Sequence, residues 1–246
     1  MSEQDRARQD SQPAYLLHGY PYRETSLVIE VFTRTHGRVA MVARGARRPR
    51  SVLRGVLLAF QPLLLSWAGR SELRTLHKAE WQGGLAQLRG EALLCGFYLN
   101  ELLLKLLARD DPHENLFDAY ARTLQALAGG APLDVTLRRF ERDLLRELGY
   151  ALALEHDALS GAPVCAEATY VYQLDAGPVR TEPAHAGDAE NRLELRGQTL
   201  LDMAHDDYSS VLTLQQSKAL MRMLINHHLG NQMLNTRQLL KDLQQL

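Results

Sequence analysis

The first third of the chain carries turn residues at the spacing of short β-strands, and this spacing constrains the fold more than any other feature. The segment TSLVIEVFT, residues 25–33, alternates between apolar and polar positions and is rich in β-branched residues. THG at 35–37 has the composition of a turn, and RVAMVAR at 38–44 resumes the alternation. The pattern predicts a β-hairpin.

Three further segments predict strands: AYLLHGY at 14–20, GVLLAFQPLLLSW at 55–67 and LRTLHKAEW at 73–81. Pro62 has no amide hydrogen, so we expect it at a bulge or a sheet edge. Five short strands without a helical period are typical of a small closed barrel such as the OB-fold. We assign this barrel to residues 14–82 and expect residues 1–13 to be a disordered lead.

The periodicity changes from strand to helix after Gly84. Segments 90–111 and 113–130 have apolar residues at helical spacing, and they end at Pro112 and at a glycine pair. A third helix is predicted from Asp134 to Gly149. The fold class is therefore α+β, with the five-stranded barrel followed by a mainly α-helical domain at 83–150.

The C-terminal part combines irregular chain with helices. Glycine and proline recur through residues 151–197, which we predict to be irregular apart from a hairpin that begins at ATYVYQL, 168–174. Helices are predicted at 198–205, 213–229 and 236–246. We expect residues 198–246 to pack on the helical domain.

A dense arginine segment interrupts the barrel pattern. Between Arg34 and Arg54 the chain has seven arginines and no carboxylate, and five of them lie in ARGARRPRSVLRG at 43–55. Residues 1–85 contain 13 Lys and Arg against 7 Asp and Glu, whereas the whole chain has a net charge of −1. This asymmetry indicates a polyanion-binding module joined to a part with a different task.

A run of charges can also be a solvated loop that only aids solubility. Here all the charges have one sign, all are arginine, and the segment connects two predicted strands of a barrel type that binds oligonucleotides. Arginine pairs with phosphate oxygens and stacks on bases, so we favour nucleic-acid binding. The candidate residues are Arg38, Arg44, Arg47, Arg48, Arg50, Arg54, Arg70, Arg74 and Lys78.

Two members of this set and two aromatic residues need separate comment. Arg38 and Arg74 lie on predicted strands, where an exposed residue without a ligand is an equally good interpretation. Tyr20 and Tyr22 are the best candidates for stacking on bases, because the other aromatic residues of the barrel mostly lie in apolar runs.

The sequence contains no pattern for a metal site or a catalytic centre. Only His156 and Cys165 lie where a zinc ribbon could follow the first helices, and the adjacent His227 and His228 point about 100° apart on a helix. P-loop, GxSxG and HExxH motifs are absent from the sequence. We expect no metal, no cofactor and no enzymatic activity.

Cysteine use and hydropathy indicate the compartment. Cys95 and Cys165 are far apart and neither belongs to a CxxC pair, which is typical of a reducing cytoplasm. The N-terminus has no apolar stretch of the secretory type. The most apolar run, 93–107, is shorter than the roughly 20 residues that span a bilayer, so we interpret it as a buried helix and expect no membrane partner.

The predicted helix at 134–149 has one apolar face that includes Phe140, and Arg138 and Arg139 follow one of its apolar residues. A solvent-facing arginine paired with Glu141 or Asp143 is the simpler interpretation. The alternative is a cation beside a groove for a protein partner.

Several segments resemble the RecO family of bacterial recombination mediators. They are YRETSLVIEVFTRTHGRVAMVARGARRPRS, LRGVLLAFQPLLLSWAGRSELRTLHKAEW, YLNELLLKLL, LRRFERDLLRELGY and LNTRQLLKDL. The resemblance implies an N-terminal OB-fold, a central helical domain and a C-terminal region that carries a four-cysteine zinc site in some members. Only Cys165 occupies that region here, so the chain resembles the zinc-free branch.

The resemblance also implies function. Members bind single- and double-stranded DNA, anneal complementary strands coated with single-stranded-DNA-binding protein, and assist RecA loading with RecR. It implies a cytoplasmic, nucleoid-associated protein, with Arg138 and Phe140 as candidates for binding the C-terminal tail of single-stranded-DNA-binding protein. From the residues alone, a protein-interaction adaptor and an RNA-binding OB module stay open.

Overall fold

The structure, a computed structural model, describes residues 8–181, 193–230, 232–236 and 238. The chain divides into two units, one formed by the residues up to 131 together with those from 233 onward, and the other by residues 132–232. The first two predicted helices belong to the first unit and the third belongs to the second.

Five strands of the first unit close into a barrel in the order β1-β2-β3-β5-β4, with β4 paired back to β1. All neighbouring strands are antiparallel except β3 and β5. This is an OB-type barrel, so the predicted fold class is confirmed. The strands are β1 (Arg8–Tyr22), β2 (Ser26–Thr33), β3 (Gly37–Ala43), β4 (Pro62–Ala68) and β5 (Leu73–Trp81).

The predicted hairpin is the centre of this barrel. β2 and β3 pair without interruption from Leu27 opposite Ala43 to Thr33 opposite Gly37. Alternate residues of these strands, such as Ile29, Val31 and Met41, are completely buried in the barrel core. The period-2 pattern of the sequence therefore corresponds to one inward face and one outward face.

Two strand boundaries differ from the sequence-based expectation. β1 begins at Arg8, inside the expected disordered lead, because Arg8 and Gln9 pair with the far end of β4. The predicted strand at 55–67 is wrong in its first half, since β4 begins only at Pro62. The preceding residues form one helical turn, α1 (Leu53–Val56), whose apolar side chains pack on the barrel core.

Two helices pack on the outer face of β1 and β2: α2 (Gly90–Leu106) and α3 (Glu114–Ala128). Asn100 of α2 donates a 2.9 Å hydrogen bond from its side-chain amide to the carbonyl of Leu17 in β1. The hydroxyl of Tyr120 in α3 donates to the side-chain oxygen of the same asparagine, at 2.5 Å. Tyr15 of β1 completes the joint, with its ring 5.1 Å from that of Tyr120.

The C-terminal segment returns to the first unit and is held by a carboxylate of α2. Glu101 accepts hydrogen bonds from the amides of Asn235 and Thr236 and from the Thr236 hydroxyl, and it pairs with Lys105. Burial raises the pKa of Glu101, but the bonds from Lys105, Thr236 and Asn235 outweigh it and lower the pKa below its usual value. The ionised carboxylate thus caps the start of the last helical segment.

The second unit packs helices on a small sheet of order β7-β6-β8. The predicted hairpin is confirmed as β6–β7, and a third strand, β8, pairs with the other edge of β6. Most of the helix predicted at 236–246 lies outside the described residues. The elements are α4 (Leu133–Glu147), β6 (Thr169–Gln173), β7 (Gly177–Arg180), β8 (Glu194–Arg196), α5 (Gly197–Ala204) and α6 (Val211–Leu229).

A buried carboxylate organises the loop that precedes this sheet. Asp157 accepts hydrogen bonds from the amides of Leu159, Ser160 and Arg180 and from the Ser160 hydroxyl. These bonds, those from Ser160 and Arg180 foremost, lower the pKa of Asp157 to about 2. This loop is therefore ordered by hydrogen bonds to an anion.

Replacing Asp157 should reduce the dependence on pH of the second unit's free energy of unfolding in the acid range. Its folded pKa of about 2 lies below the unfolded value, so its contribution is present above about pH 4 and is lost as the pH falls toward 2. We expect Asp157→Asn to lower the free energy of unfolding by about 1–3 kcal/mol at pH 7 and by much less near pH 2.5. Urea unfolding at both pH values measures this, with the exposed Asp175→Asn as control. An equal loss at both pH values would contradict it.

The turn between β2 and β3 should not tolerate a side chain at Gly37. The residue has φ +62°, and an added Cβ would lie 1.9 Å from the carbonyl oxygen of Asp111. We expect Gly37→Ala to lower the free energy of unfolding by at least about 2 kcal/mol, from backbone strain and the clash with main-chain atoms. Gly55→Ala, with no atom within 4 Å of its Cβ, is the matched control and should change stability little. Equal stability of the two variants in urea would refute this account.

Candidate nucleic-acid interface

The arginine segment between β3 and α1 is an ordered series of turns. Its buried anchor is Ala46, which is 1% exposed and belongs to the barrel core. Successive amides bond back along the chain, from Arg48 to the carbonyl of Gly45 and from Ser51 to that of Arg48. The following helix α1 packs on the same core, so the segment is fixed at both ends. We call residues 43–55 the arginine loop; this range includes the last residue of β3 and the first three residues of α1.

The arginine loop also bonds to the turn between β1 and β2. The amide of Arg47 donates to the carbonyl of Thr25 at 2.8 Å, and its guanidinium lies 3.5 Å from the carbonyl of Arg23. The amide of Gly45 donates to the Ser26 hydroxyl at 3.3 Å. These contacts hold the loop and the turn as one surface at this end of the barrel.

Five side chains of the arginine loop extend into solvent. Among the ion pairs of residues 8–181 and the other described segments, none involves these five guanidinium groups. Several guanidinium groups held on one ordered backbone form a preorganised site for an anion. The five exposed residues are Arg44, Arg47, Arg48, Arg50 and Arg54.

Sequence reasoning missed one cation of this surface, Arg23. It is exposed in the β1–β2 turn, and its guanidinium carbon lies 5.2 Å from the ring centroid of Tyr22. The charge of Arg23 is balanced in the sequence by the adjacent Glu24, so this position adds nothing to the net positive charge of the segment. The available signal was its place between two predicted strands, next to the ring of Tyr22.

Arg38, by contrast, takes part in a buried ion pair. Its guanidinium donates to the carboxylate of Glu30 at 3.2 Å and to the carbonyl of Leu107 at 3.1 Å. The same carboxylate also accepts from Arg109, and its side chain is only 5% exposed. Arg38 therefore joins the barrel to the segment after α2. Its charge is neutralised by Glu30, and DNA binding by Arg38 stays a prediction.

The other three predicted cations are distributed over the rest of the barrel. Arg74 on β5 is neutralised by Asp110 at 2.6 Å. Arg70 is exposed in the β4–β5 turn, and since Leu73 pairs with Ala40 in parallel, this turn lies toward the start of β3, opposite the arginine loop. Lys78 is exposed on β5 and pairs with Glu80 at 2.9 Å. The structure thus brings together the loop arginines and Arg23 but not these three.

The two residues predicted to bind a protein tail lie on α4 in the second unit. Phe140 is completely buried, and the Arg138 side chain is 7% exposed and bonds to Glu141 at 2.6 Å. The ion pair that we considered as the simpler interpretation is present, but inside the unit and not on its surface. Tail binding by Arg138 and Phe140 stays a prediction.

The described residues contain no group of three or more His, Cys, Asp or Glu side chains that could hold a metal ion. Cys165 donates from its thiol to Glu167 at 3.2 Å, and His228 stacks on Tyr150 at 3.9 Å between ring centroids. Burial, followed by the neighbouring His227, lowers the pKa of His228.

Within the same described residues, no helix is both long and apolar enough to cross a membrane.

These features define a class: an OB-type barrel protein with a cationic connector and a C-terminal helical region. The family model for the N-terminal part of recombination protein O matches residues 8–84, and the model for its C-terminal part matches residues 87–238. The chain belongs to the RecO family of DNA repair proteins.

Relatives at high identity cover the full length. The DNA repair protein RecO of Nitrosospira multiformis is 57% identical over 98% of this chain and 99% of its own length. The DNA repair protein RecO of Aromatoleum aromaticum is 56% identical over 100% of this chain and 100% of its own length. That of Dechloromonas aromatica is 52% identical over 98% of this chain and 99% of its own length.

The two kinds of arginine should respond differently to replacement. Arg38→Ala leaves the buried Glu30 carboxylate with one of its two guanidinium partners, and we expect the free energy of unfolding to fall by about 3 kcal/mol. Arg48→Ala removes an exposed, unneutralised charge, and we expect a change within about 0.5 kcal/mol. Urea unfolding of the two variants tests the assignment. It fails if Arg38→Ala is as stable as the wild type.

Proposed function

We propose that this chain is a non-enzymatic DNA-binding mediator of recombinational repair that binds single- and double-stranded DNA and anneals complementary strands. The observation that carries the proposal is the arginine loop, in which five exposed guanidinium groups lie on an ordered backbone and form no ion pair with a carboxylate of the described residues. Guanidinium binds phosphate through two parallel hydrogen bonds, which suits a DNA backbone irrespective of base sequence.

The physical basis of annealing is the reduced repulsion between two strands. Unscreened phosphates repel each other within a Debye length, about 10 Å at 0.1 M salt. Exposed cations of one sign lower this repulsion when two strands approach the same surface, and base pairing then follows from proximity. This requires no covalent step and no nucleotide hydrolysis. Binding to chromosomal DNA would also make the protein nucleoid-associated.

We further propose the family's protein partners for this chain. These are the C-terminal tail of single-stranded-DNA-binding protein, RecR and, through them, RecA. Support for a tail site comes from Arg138, whose Nε atom is buried and, within the described residues, has no hydrogen-bond partner. An acidic, apolar tail supplies the carboxylate for such an atom, with Phe140 as part of the apolar wall. Binding there requires the Arg138–Glu141 pair to rearrange and the completely buried Phe140 to become accessible.

Replacing three arginines of the arginine loop should weaken binding equally for DNA of different base sequences. We expect Arg47→Ala, Arg48→Ala and Arg50→Ala combined to lower the affinity for duplex DNA by about 100-fold at 0.1 M salt. The log–log slope of affinity against salt should fall by about 2–3 units, since each lost phosphate contact removes about 0.9. Fluorescence anisotropy with labelled duplexes of two unrelated sequences, titrated between about 50 and 200 mM salt, measures both quantities.

The control removes the same charge from positions outside the arginine loop. Arg89, Arg122 and Arg222 are exposed, and their combined replacement by alanine should leave affinity and slope nearly unchanged. If both triple variants lose affinity equally, net charge and not the arginine loop decides binding. Wild-type protein that binds an acidic polypeptide but no DNA would support the adaptor alternative. A clear preference for an RNA oligonucleotide over the same DNA sequence would support the RNA module.

A further inference from the structure

A β-bulge in β1 brings a stripe of aromatic side chains to the outside of the barrel. β1 pairs with β2 as Leu16 opposite Val31, but the next pair is His18 opposite Glu30, so one extra residue lies in β1. The bulge reverses which residues face outward. Without it, His18 and Tyr20 would follow Leu16 in pointing into the core.

The register after the bulge shows the face on which these rings lie. Gly19 is opposite Ile29, whose side chain is completely buried in the barrel core. The residues on either side, His18 and Tyr20, therefore point outward, as does Tyr22 two positions further on. Directly opposed residues of an antiparallel pair share a face, which makes Val28 the outward neighbour of Tyr20.

The rings of this stripe are exposed and preorganised. Tyr20 is 49% exposed, and its ring centroid lies 4.3 Å from that of His18. Tyr22 is half-buried and carries the guanidinium of Arg23 over its ring. An exposed pair of rings in contact on a strand offers flat π-surface at little cost in side-chain entropy, because strand and neighbour already restrict both rings.

The stripe is continuous with the arginine loop. It ends at the β1–β2 turn, and that turn accepts the backbone and side-chain hydrogen bonds of Arg47. Cations for phosphates and π-faces for bases thus lie side by side. A cationic groove flanked by aromatic rings is the arrangement that binds single-stranded nucleic acid.

We propose that His18, Tyr20 and Tyr22 form a stacking surface for the unpaired bases of a single DNA strand whose phosphates lie on the arginine loop. The proposal rests on the DNA-binding function proposed above and adds a source of strand selectivity to it. Bases of an intact duplex are stacked on each other and have no free face for these rings. The stacking surface therefore binds single strands, while the arginine loop binds both forms.

The test compares three probes on the full-length chain: an oligothymidylate, a duplex, and an abasic strand that has phosphates but no bases. We expect Tyr20→Ala and His18→Ala each to weaken oligothymidylate binding by about 10-fold, as the loss of one stacked base predicts. Binding of the duplex and of the abasic strand should stay within about 2-fold of wild type, because these probes use only the arginine loop. Tyr20→Phe keeps the ring and should bind all three probes like the wild type.

The matched control is a tyrosine in the same kind of contact elsewhere. Tyr150 is also 49% exposed and also packs on a histidine ring, that of His228, but it lies in the second unit. Tyr150→Ala should leave binding of all three probes unchanged. Equal loss of oligothymidylate binding in Tyr150→Ala and Tyr20→Ala would overturn the proposal.

A second readout does not depend on a variant folding. Photocrosslinking of wild-type protein to an oligonucleotide containing 4-thiothymidine should label the tryptic peptide 9–23, which contains all three rings. Labelling confined to other peptides would overturn the proposal, as would unchanged oligothymidylate affinity in a folded Tyr20→Ala variant. If instead the arginine triple variant binds the duplex and the abasic strand like the wild type, the proposed function itself fails.

Discussion

The buried carboxylate of Glu30, held by two guanidinium groups, is the interaction on which the first unit depends. It lies on the outer face of β2, where Arg38 reaches it from β3 and Arg109 from the segment after α2. Arg38 also bonds to the carbonyl of Leu107, and its own carbonyl accepts from the amide of Asp110. A buried anion without such partners would be strongly unfavourable, so this pairing couples the stability of the barrel to that of the segment after α2.

This joint also decides where the free positive charge of the barrel lies. Carboxylates near α2 and α3 neutralise the arginines at one end, with Arg34 bound to Asp118 and Arg74 to Asp110. At the other end, the arginine loop extends from a buried alanine with no carboxylate paired to it among the described residues. The near-zero net charge of the chain therefore conceals a strongly polar distribution, which is the property that attracts a polyanion.

The local features of the fold were largely predictable. The β2–β3 hairpin, the strand at β5 and the helices α2 to α6 follow directly from periodicity and from the turn residues between them. The segment before Pro62 was not, because Leu53, Val56 and Leu57 are apolar at a spacing that also suits a single helical turn, and only packing on the barrel core selects it. The early start of β1 depends likewise on pairing with β4, more than fifty residues away in the chain.

The sequence by itself determined the family, the order of strands and helices and the cationic connector, because each of these depends on residues close together in the chain. Only the tertiary structure decided which arginines remain free. Neutralisation joins residues as far apart as Arg34 and Asp118, 84 positions in sequence, and no local pattern predicts such a pair. The tertiary structure also decided that Tyr20 points outward. A single bulged residue in β1 reverses the alternation of inward and outward side chains, so the sequence pattern alone does not show on which face Tyr20 lies.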